Sequence, residues 1–225
     1  MILNNYIDEI YIKYNLVYSK KYSNYATWLN TADKEHFLKT QIHFRFAVEN
    51  FASVLAGVMS KIPYLQKRID VANNIFEEHG NGMVEKSHTH TFIEFLNSIN
   101  DKNYSYNINP CMAVKAFNES ISNFVATHSY YEGAAMIGAI ELLYIDISSI
   151  IAKHLKNKNW DKLCNQNHYN THEVLDVEHA KELFNIVEPV WNNGCEIIKT
   201  SIKDSINLGA YLFAKLYQDL LMEEL

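Results

Sequence analysis

The chain has 225 residues and a net charge of −6, and 48% of its residues are hydrophobic, which suits one domain with a sizeable core. The acidic balance and the lack of a Lys/Arg cluster argue against a nucleic-acid partner. No apolar run reaches about 18 residues and the first residues do not resemble a signal peptide, so we expect neither a membrane span nor export. Three scattered cysteines fit a reducing cytoplasm, where we expect the protein to be located.

The clearest helical pattern lies in the first third of the chain. Residues recur there at steps of three and four, which is typical of a helix with one buried face. Thr31 and Asp33, just before this pattern, are residue types that begin helices. All but one of the recurring positions are apolar: Phe37, Gln41, Phe44, Val48, Phe51, Leu55 and Val58.

Further helices follow in chain order. Only seven Gly and three Pro are present, which favours long elements. There is no strand pattern, low-complexity linker or internal repeat, so we predict that residues 1–225 form one all-α bundle of about seven or eight helices. The later helices are predicted from Pro63 to about Glu78, Lys86 to Ile99, Pro110 onward, Tyr130 to Leu155, His172 to Val187, and Pro189 to the C-terminus.

The most specific motif contains His172, Asp176 and His179. Each residue of an α-helix turns by about 100°, so these three share one stripe about 60° wide. Imidazole nitrogens and a carboxylate oxygen suit iron, manganese or zinc. A solvated polar face is the alternative interpretation, and Glu173 and Glu178 indicate that this helix has one.

A second candidate pair flanks the predicted link between two helices. Glu78 ends one helix and His88 begins the next, and Gly80 and Gly82 allow a tight connection between them. Such a hairpin could direct both side chains at one point. The alternative is an ordinary glycine C-cap with exposed neighbours, and three nearby residues compete as ligands. These are Glu77, His79 and His90.

A third candidate is Glu141, a lone carboxylate in the run of small and apolar residues from Gly133 to Leu143. A buried carboxylate is costly unless it is paired or binds a cation. A Lys or Arg partner, or a solvent-exposed edge, is the alternative. Asp146, five residues later, points elsewhere on the helix and is a poorer candidate.

Taken together, the candidates provide three carboxylates and three imidazoles on four predicted helices. Such a set can hold two divalent metal ions, and helical bundles are the usual scaffold for carboxylate-bridged metal pairs. Ligand chemistry alone leaves iron and manganese open. The predicted ligands are Glu78, His88, Glu141, His172, Asp176 and His179.

At these residues the sequence resembles the haem-oxygenase-like di-metal oxidases and oxygenases, over roughly Tyr25 to Ala180. Within that superfamily it is most similar to the branch of the chlamydial protein associating with death domains (CADD), which forms para-aminobenzoate. The resemblance implies a single haem-oxygenase-like bundle and a homodimer. It also implies two ferrous ions, or alternatively manganese, that use O2 to oxidise a small molecule.

The resemblance further implies roles for a tyrosine and a lysine, because the self-sacrificing members consume their own side chains. The segment from Tyr25 to Trp28 is similar to the family's Tyr-x-x-Trp segment, which makes Tyr25 the candidate sacrificed residue. Lys153 is the nearest match to the family's lysine, although it lies about two positions from a gapless alignment. Lys156 and Lys158 are close by.

Three other functions share this fold. Thiaminase-like hydrolases use a Cys nucleophile and no metal, but neither Cys111 nor Cys195 has a local context that marks an activated thiol. Haem oxygenase needs a haem-ligand histidine, and His36 and His43 look more like packing or surface residues. A binding protein with a structural metal site is the third.

Overall fold

A computed structural model of the protein describes residues 2–99, 108–160 and 167–223, and between residues 167 and 176 it describes the side chain of Tyr169 alone. These ranges contain nine α-helices and no strand, so the predicted all-α class is confirmed. The count exceeds seven or eight because two short helices precede the first predicted one. The helices are α1 (Leu3–Tyr14), α2 (Asn24–Leu29), α3 (Lys34–Lys61), α4 (Leu65–Glu78), α5 (His88–Ile99), α6 (Met112–Thr127), α7 (Tyr130–Asn157), α8 (Asn167–Asn193) and α9 (Glu196–Met222).

The start of two long helices follows ordinary capping chemistry. The Asp33 side chain accepts a hydrogen bond from the backbone N–H of His36 at 2.9 Å, so of the two predicted start residues, Thr31 and Asp33, it is Asp33 that caps α3. At α7, Ser129 and Glu132 form a reciprocal capping box. These caps fix where α3 and α7, each 28 residues long, begin.

The predicted helix boundary at Pro189 is wrong. Helix α8 runs through Pro189 to Asn193, and the break falls at Gly194. Proline removes one backbone hydrogen bond, but the side chains of Val187 and Trp191, on either side of it, are buried, and their packing keeps the helix continuous. The helix breaks instead at Gly194, where the backbone conformation leaves no room for a side chain: a Cβ there would lie 2.6 Å from the carbonyl oxygen of Val190. The start of α8 also lies earlier than predicted, at Asn167.

Helix α7 forms the centre of the bundle, with α8 and α9 packed against it. Its small residues permit close approach: a Cβ on Gly138 would lie 3.3 Å from Leu183 of α8. On α9, a Cβ on Gly209 would overlap the carbonyl oxygen of Met136. By length and composition α7 is the one helix in the described ranges that could cross a membrane, yet 72% of its most apolar window is buried inside the protein.

We expect Gly209→Ala to lower the free energy of unfolding by about 1–3 kcal/mol, because the added methyl group meets rigid backbone of α7. Gly133→Ala is the matched control, since its Cβ would lie 3.2 Å from a methyl group of Val58 that can shift. Alanine is also the better helix former, so the control is expected to change stability by less than about 1 kcal/mol. Urea unfolding of the three proteins measures the difference, and equal stability of both variants would contradict the close α7–α9 contact.

Candidate metal centre

The link between α4 and α5 brings Glu78 and His88 together. Two short 3₁₀ turns, Gly80–Gly82 and Val84–Lys86, fold the chain back on itself. Gly80 has a φ of +67°, and a Cβ there would overlap the backbone of Lys86, so the turn requires glycine. As a result Oε2 of Glu78 lies 2.7 Å from Nδ1 of His88, and both side chains are buried.

The contact between α7 and α8 brings Glu141 and His179 together. Both residues are only 3% exposed, and Oε1 of Glu141 lies 3.9 Å from Nδ1 of His179. The other ring nitrogen of His179, Nε2, lies 2.7 Å from Oε2 of Glu77 on α4. A carboxylate on each side therefore holds the imidazole in place between α4 and α7.

A narrow pocket joins the two pairs, because Glu78 and Glu141 both line it. Its cavity volume is about 40 Å³, which is room for a few water molecules. The wall is otherwise apolar or aromatic and contains no Lys or Arg among the described residues. The other lining residues are Phe44, Ala47, Val48, Phe51, Phe117, Ile140, Tyr144 and Phe213.

Four predicted ligands thus lie in two contacting pairs around one pocket. The side chains of the other two, His172 and Asp176, lie outside the described residues, although α8 contains both positions. Within the described side chains, no group of three or more His, Cys, Asp or Glu forms a metal-holding cluster. The assignment of all six as ligands therefore stays a prediction.

The chemistry of the four described donors fits a pair of divalent ions. Carboxylates buried in apolar surroundings are expected to be paired or to bind metal, and imidazole with carboxylate suits iron or manganese. Glu78 and Glu141 each place a carboxyl group in the pocket wall, and the described part of that wall contains no Lys or Arg. His88 and His179 place an imidazole nitrogen 2.7 Å from Glu78 and 3.9 Å from Glu141, respectively.

The competing residues have other contacts. Nδ1 of His79 lies 2.7 Å from the carbonyl oxygen of Ile75, and His79 is exposed. His90 is 40% exposed and lies 3.4 Å from Glu94 on its own helix. Asp146, the poorer candidate on α7, accepts hydrogen bonds from Tyr11 and from Asn15 and so anchors α1.

Glu77 is the site residue that sequence reasoning left unassigned. It was one of three competitors to Glu78, and adjacent residues point about 100° apart on a helix. Because of this angle, Glu78 contacts His88 on α5, whereas Glu77 contacts His179 on α8. The two adjacent glutamates at the end of α4 indicate that two carboxylates point to different neighbouring helices, but one sequence does not show which helix packs beside each position.

Tyr25 lies in a buried hydrogen-bonded cluster rather than in the pocket wall. Its hydroxyl lies 2.7 Å from Oγ1 of Thr40 and accepts from Nε2 of Gln41 at 2.7 Å. Because the Thr40 hydroxyl donates to the carbonyl oxygen of Phe37, the Tyr25 hydroxyl is the donor to Thr40. Burial raises the pKa of the Tyr25 phenol well above its usual value. Its ring packs edge-on against Tyr217, whose centroid lies 4.8 Å away.

Lys153 lies on the exposed side of α7, and neither it nor its neighbours Lys156 and Lys158 lines the pocket. In the described structure the two residues that self-sacrificing chemistry would consume are therefore differently placed. Tyr25 is fully buried, whereas Lys153 is exposed to solvent.

The cysteines considered for hydrolysis lie apart from the pocket. Burial raises the pKa of the Cys111 thiol. Hydrogen bonds from the backbone N–H groups of Ile198 and Ile197 lower the pKa of Cys195, which is exposed at the start of α9. Neither residue lines the pocket with Glu78 and Glu141, and Cys164 lies outside the described residues.

The haem-ligand candidates on α3 also have local partners. Nδ1 of His36 lies 2.5 Å from Asp33 at the exposed start of the helix. Nδ1 of His43 accepts a hydrogen bond from the backbone N–H of Cys111 at 3.1 Å. Neither histidine lines the pocket.

Comparison with known proteins places the chain in a family. A sequence profile of the family described as iron-containing redox enzymes matches residues 38–198. A CADD-like protein of unknown function from Nostoc punctiforme has a TM-score of 0.76 at 13% identity, with 97% of this chain and 96% of that chain covered. A TenA homologue from Pyrococcus furiosus has a TM-score of 0.73 at 17% identity, with 98% and 99% covered. At these identities both structures show a shared fold; a comparison with curated proteins finds no match.

We expect Glu141→Gln to leave the metal-free protein at least as stable as the wild type, because it removes a buried charge and keeps the shape. Ferrous iron should raise the melting temperature of the wild type under nitrogen, since it binds only the folded state, and should fail to raise that of the variant. Thermal unfolding with and without Fe²⁺ measures both effects.

The matched control is Asp146→Asn on the same helix. Because Asp146 accepts hydrogen bonds from α1, this variant should lose about 1–2 kcal/mol of stability yet keep the rise produced by Fe²⁺. An undiminished rise in Glu141→Gln would remove Glu141 from the ligand set.

Proposed function

The chain belongs to the family of iron-containing redox enzymes, and from this premise we propose that it is a non-haem di-iron oxidase or oxygenase. The observation that carries the proposal is that two buried carboxylates, each beside a histidine, line one largely apolar pocket. Glu78 with His88 forms one pair and Glu141 with His179 the other. Two ferrous ions carry four positive charges, of which Glu78 and Glu141 balance two. Helix α8 supplies two further predicted ligands, His172 and a third carboxylate, Asp176.

Each described residue has a distinct task in this proposal. Glu78 and His88 would hold one side of the metal pair, and Glu141 and His179 the other. When bound, the ferrous pair supplies the electrons that reduce O2. Glu77 accepts the hydrogen bond of His179 at Nε2, which turns Nδ1 toward Glu141 and fixes the ring.

The pocket wall restricts the substrate. Four phenylalanine rings and Tyr144 surround the two carboxylates, so the site favours a small, largely apolar molecule. No Lys or Arg in the described wall is available to bind a substrate anion. Because the cavity volume is about 40 Å³, the rings must move apart before a substrate enters. Their packing also excludes bulk water from the ions and limits side reactions.

The thiaminase-like alternative receives support from the fold alone. The likeness to a TenA homologue is one of overall shape at 17% identity. A hydrolase of that kind would need a thiol near the pocket carboxylates, and neither Cys111 nor Cys195 lines that pocket. Insensitivity of the activity to chelators, together with its loss on thiol alkylation, would favour the hydrolase.

We expect His88→Ala to lose at least one of two irons per chain and to stop consuming O2. His90→Ala is the matched control, because it removes an imidazole two residues away that is 40% exposed and pairs with Glu94. Elemental analysis of protein loaded with Fe²⁺ under nitrogen gives the iron count, and an oxygen electrode gives the uptake. Two irons and full uptake in His88→Ala would contradict the proposed function, as would a wild-type protein that binds no iron.

The self-sacrificing route makes a separate prediction about Tyr25. The Tyr25 hydroxyl donates to Thr40, and the Thr40 hydroxyl donates to the carbonyl oxygen of Phe37 at 2.8 Å. A backbone carbonyl is not a base, so no group in this series of hydrogen bonds can take up the phenol proton of Tyr25. We therefore expect Tyr25 to survive O2 exposure and Tyr25→Phe to keep O2-dependent oxidation of an added substrate. Intact-protein mass spectrometry before and after turnover measures the side chain, with Tyr217→Phe as the control. Loss of the Tyr25 side chain with release of para-aminobenzoate would contradict this and identify the self-sacrificing enzyme.

A further inference from the structure

A buried line of hydrogen bonds connects α8, α3 and α2 outside the pocket. The Tyr169 hydroxyl donates to Oε1 of Gln41, and Nε2 of Gln41 donates to the Tyr25 hydroxyl at 2.7 Å. Tyr25 in turn donates to Thr40, which donates to the carbonyl oxygen of Phe37. Gln41 is therefore bound at both ends of its amide by residues of two other helices.

Gln41 is the polar exception in the apolar stripe of α3, and its position explains why. Gln41, Tyr25 and Tyr169 are all 0% exposed. A buried amide without hydrogen-bond partners is strongly destabilising, and the hydroxyls of Tyr25 and Tyr169 are the partners of the Gln41 amide. The side chain thus acts as a specific connector between α2 and α8, which an apolar residue could not be.

Tyr169 also contacts the helix that carries His88. Its ring packs edge-on against Phe95 of α5, with centroids 5.1 Å apart, and against Phe92 at 6.2 Å. Tyr169 lies in the first turn of α8, and His172 follows it by three residues. Residues three, four and seven apart share a helix face, so Tyr169 lies at the end of the face that carries the predicted ligands.

We propose that Tyr169 and Gln41 are positioning residues for the metal centre, an inference that rests on the proposed function. Their hydrogen bond fixes the first turn of α8 against α3, while the Tyr169 ring fixes it against α5. Helix ends fray unless they are held, and metal ligands must stay within about 0.5 Å of their productive positions. Loosening this turn would move His172 and Asp176 relative to His88 without touching any ligand.

Tyr169→Phe tests this, because it keeps the ring contacts and removes one hydrogen bond. The probe is Co²⁺ alone, whose dissociation constant is measured by competition with a chromogenic chelator and whose visible absorption reports the ligand geometry. Removal of a group that orients metal ligands typically weakens metal binding by about ten- to a hundredfold. We expect Tyr169→Phe to bind Co²⁺ more weakly by this factor and to show an altered Co²⁺ spectrum.

Two tyrosine variants serve as controls. Tyr217→Phe removes a buried hydroxyl that has no hydrogen-bond partner among the described residues, and its ring contacts that of Tyr25. Tyr14→Phe removes a buried hydroxyl that bonds Asn207 at 3.1 Å, and so breaks a connection between α1 and α9. Both should bind Co²⁺ within about twofold of the wild type.

Gln41→Met is the second variant, and it removes the other partner of the same bond. If the two residues act as one unit, the double variant Tyr169→Phe/Gln41→Met should bind Co²⁺ no more weakly than Gln41→Met alone. Addition of the two losses would overturn the idea of a shared positioning role.

The outcomes separate this inference from the proposed function. Wild-type protein that binds two Co²⁺ ions while Tyr169→Phe keeps its affinity and spectrum overturns the inference alone. An equal loss in Tyr14→Phe also overturns it, because the effect would then follow from general destabilisation. A wild type that binds no metal overturns the proposed function and this inference with it.

Discussion

Two carboxylates, those of Glu78 and Glu141, face one apolar pocket in the middle of the bundle. Charges in such surroundings are destabilising by several kcal/mol unless opposite charge or hydrogen bonds compensate. Each has an imidazole as its neighbour, yet the pocket wall carries no Lys or Arg among the described residues. In the proposed function, divalent cations bound at the pocket would supply the opposite charge, and the stability of the centre would then depend on metal occupancy. The other features of the structure can be understood as ways to bring these four side chains together.

The fold meets that requirement with three kinds of local chemistry. Glycines at the link between α4 and α5 allow the reversal that brings Glu78 to His88. Small residues along α7 let α8 approach closely enough for His179 to lie between Glu141 and Glu77. Aromatic rings from α3, α6, α7 and α9 close the pocket around the carboxylates. Glycine loses more conformational entropy on folding than other residues, which lowers the stability of the folded state. The burial of apolar side chains between several helices offsets this loss.

Much of this arrangement could be predicted from sequence, because its signals are local. The helical stripe from Phe37 to Val58, the glycine link after Glu78 and the lone Glu141 in an apolar run all indicate their structures by spacing alone. The roles of Glu77 and Gln41 could not be predicted, since each depends on which helix packs beside it. Pro189 was misleading for the same reason: long-range packing keeps α8 continuous where the local rule predicts a break. Tertiary contacts, which one sequence does not display, decide these cases.

We propose that the two buried carboxylate–histidine pairs bind a pair of irons. Crystals of protein loaded with Fe²⁺ under nitrogen can be measured on both sides of the iron absorption edge. We expect two anomalous peaks about 3.5–4 Å apart, the spacing usual for two-metal sites, with Glu78 and His88 beside one and Glu141 and His179 beside the other. No peak at these residues, or a single iron bound elsewhere, would contradict it.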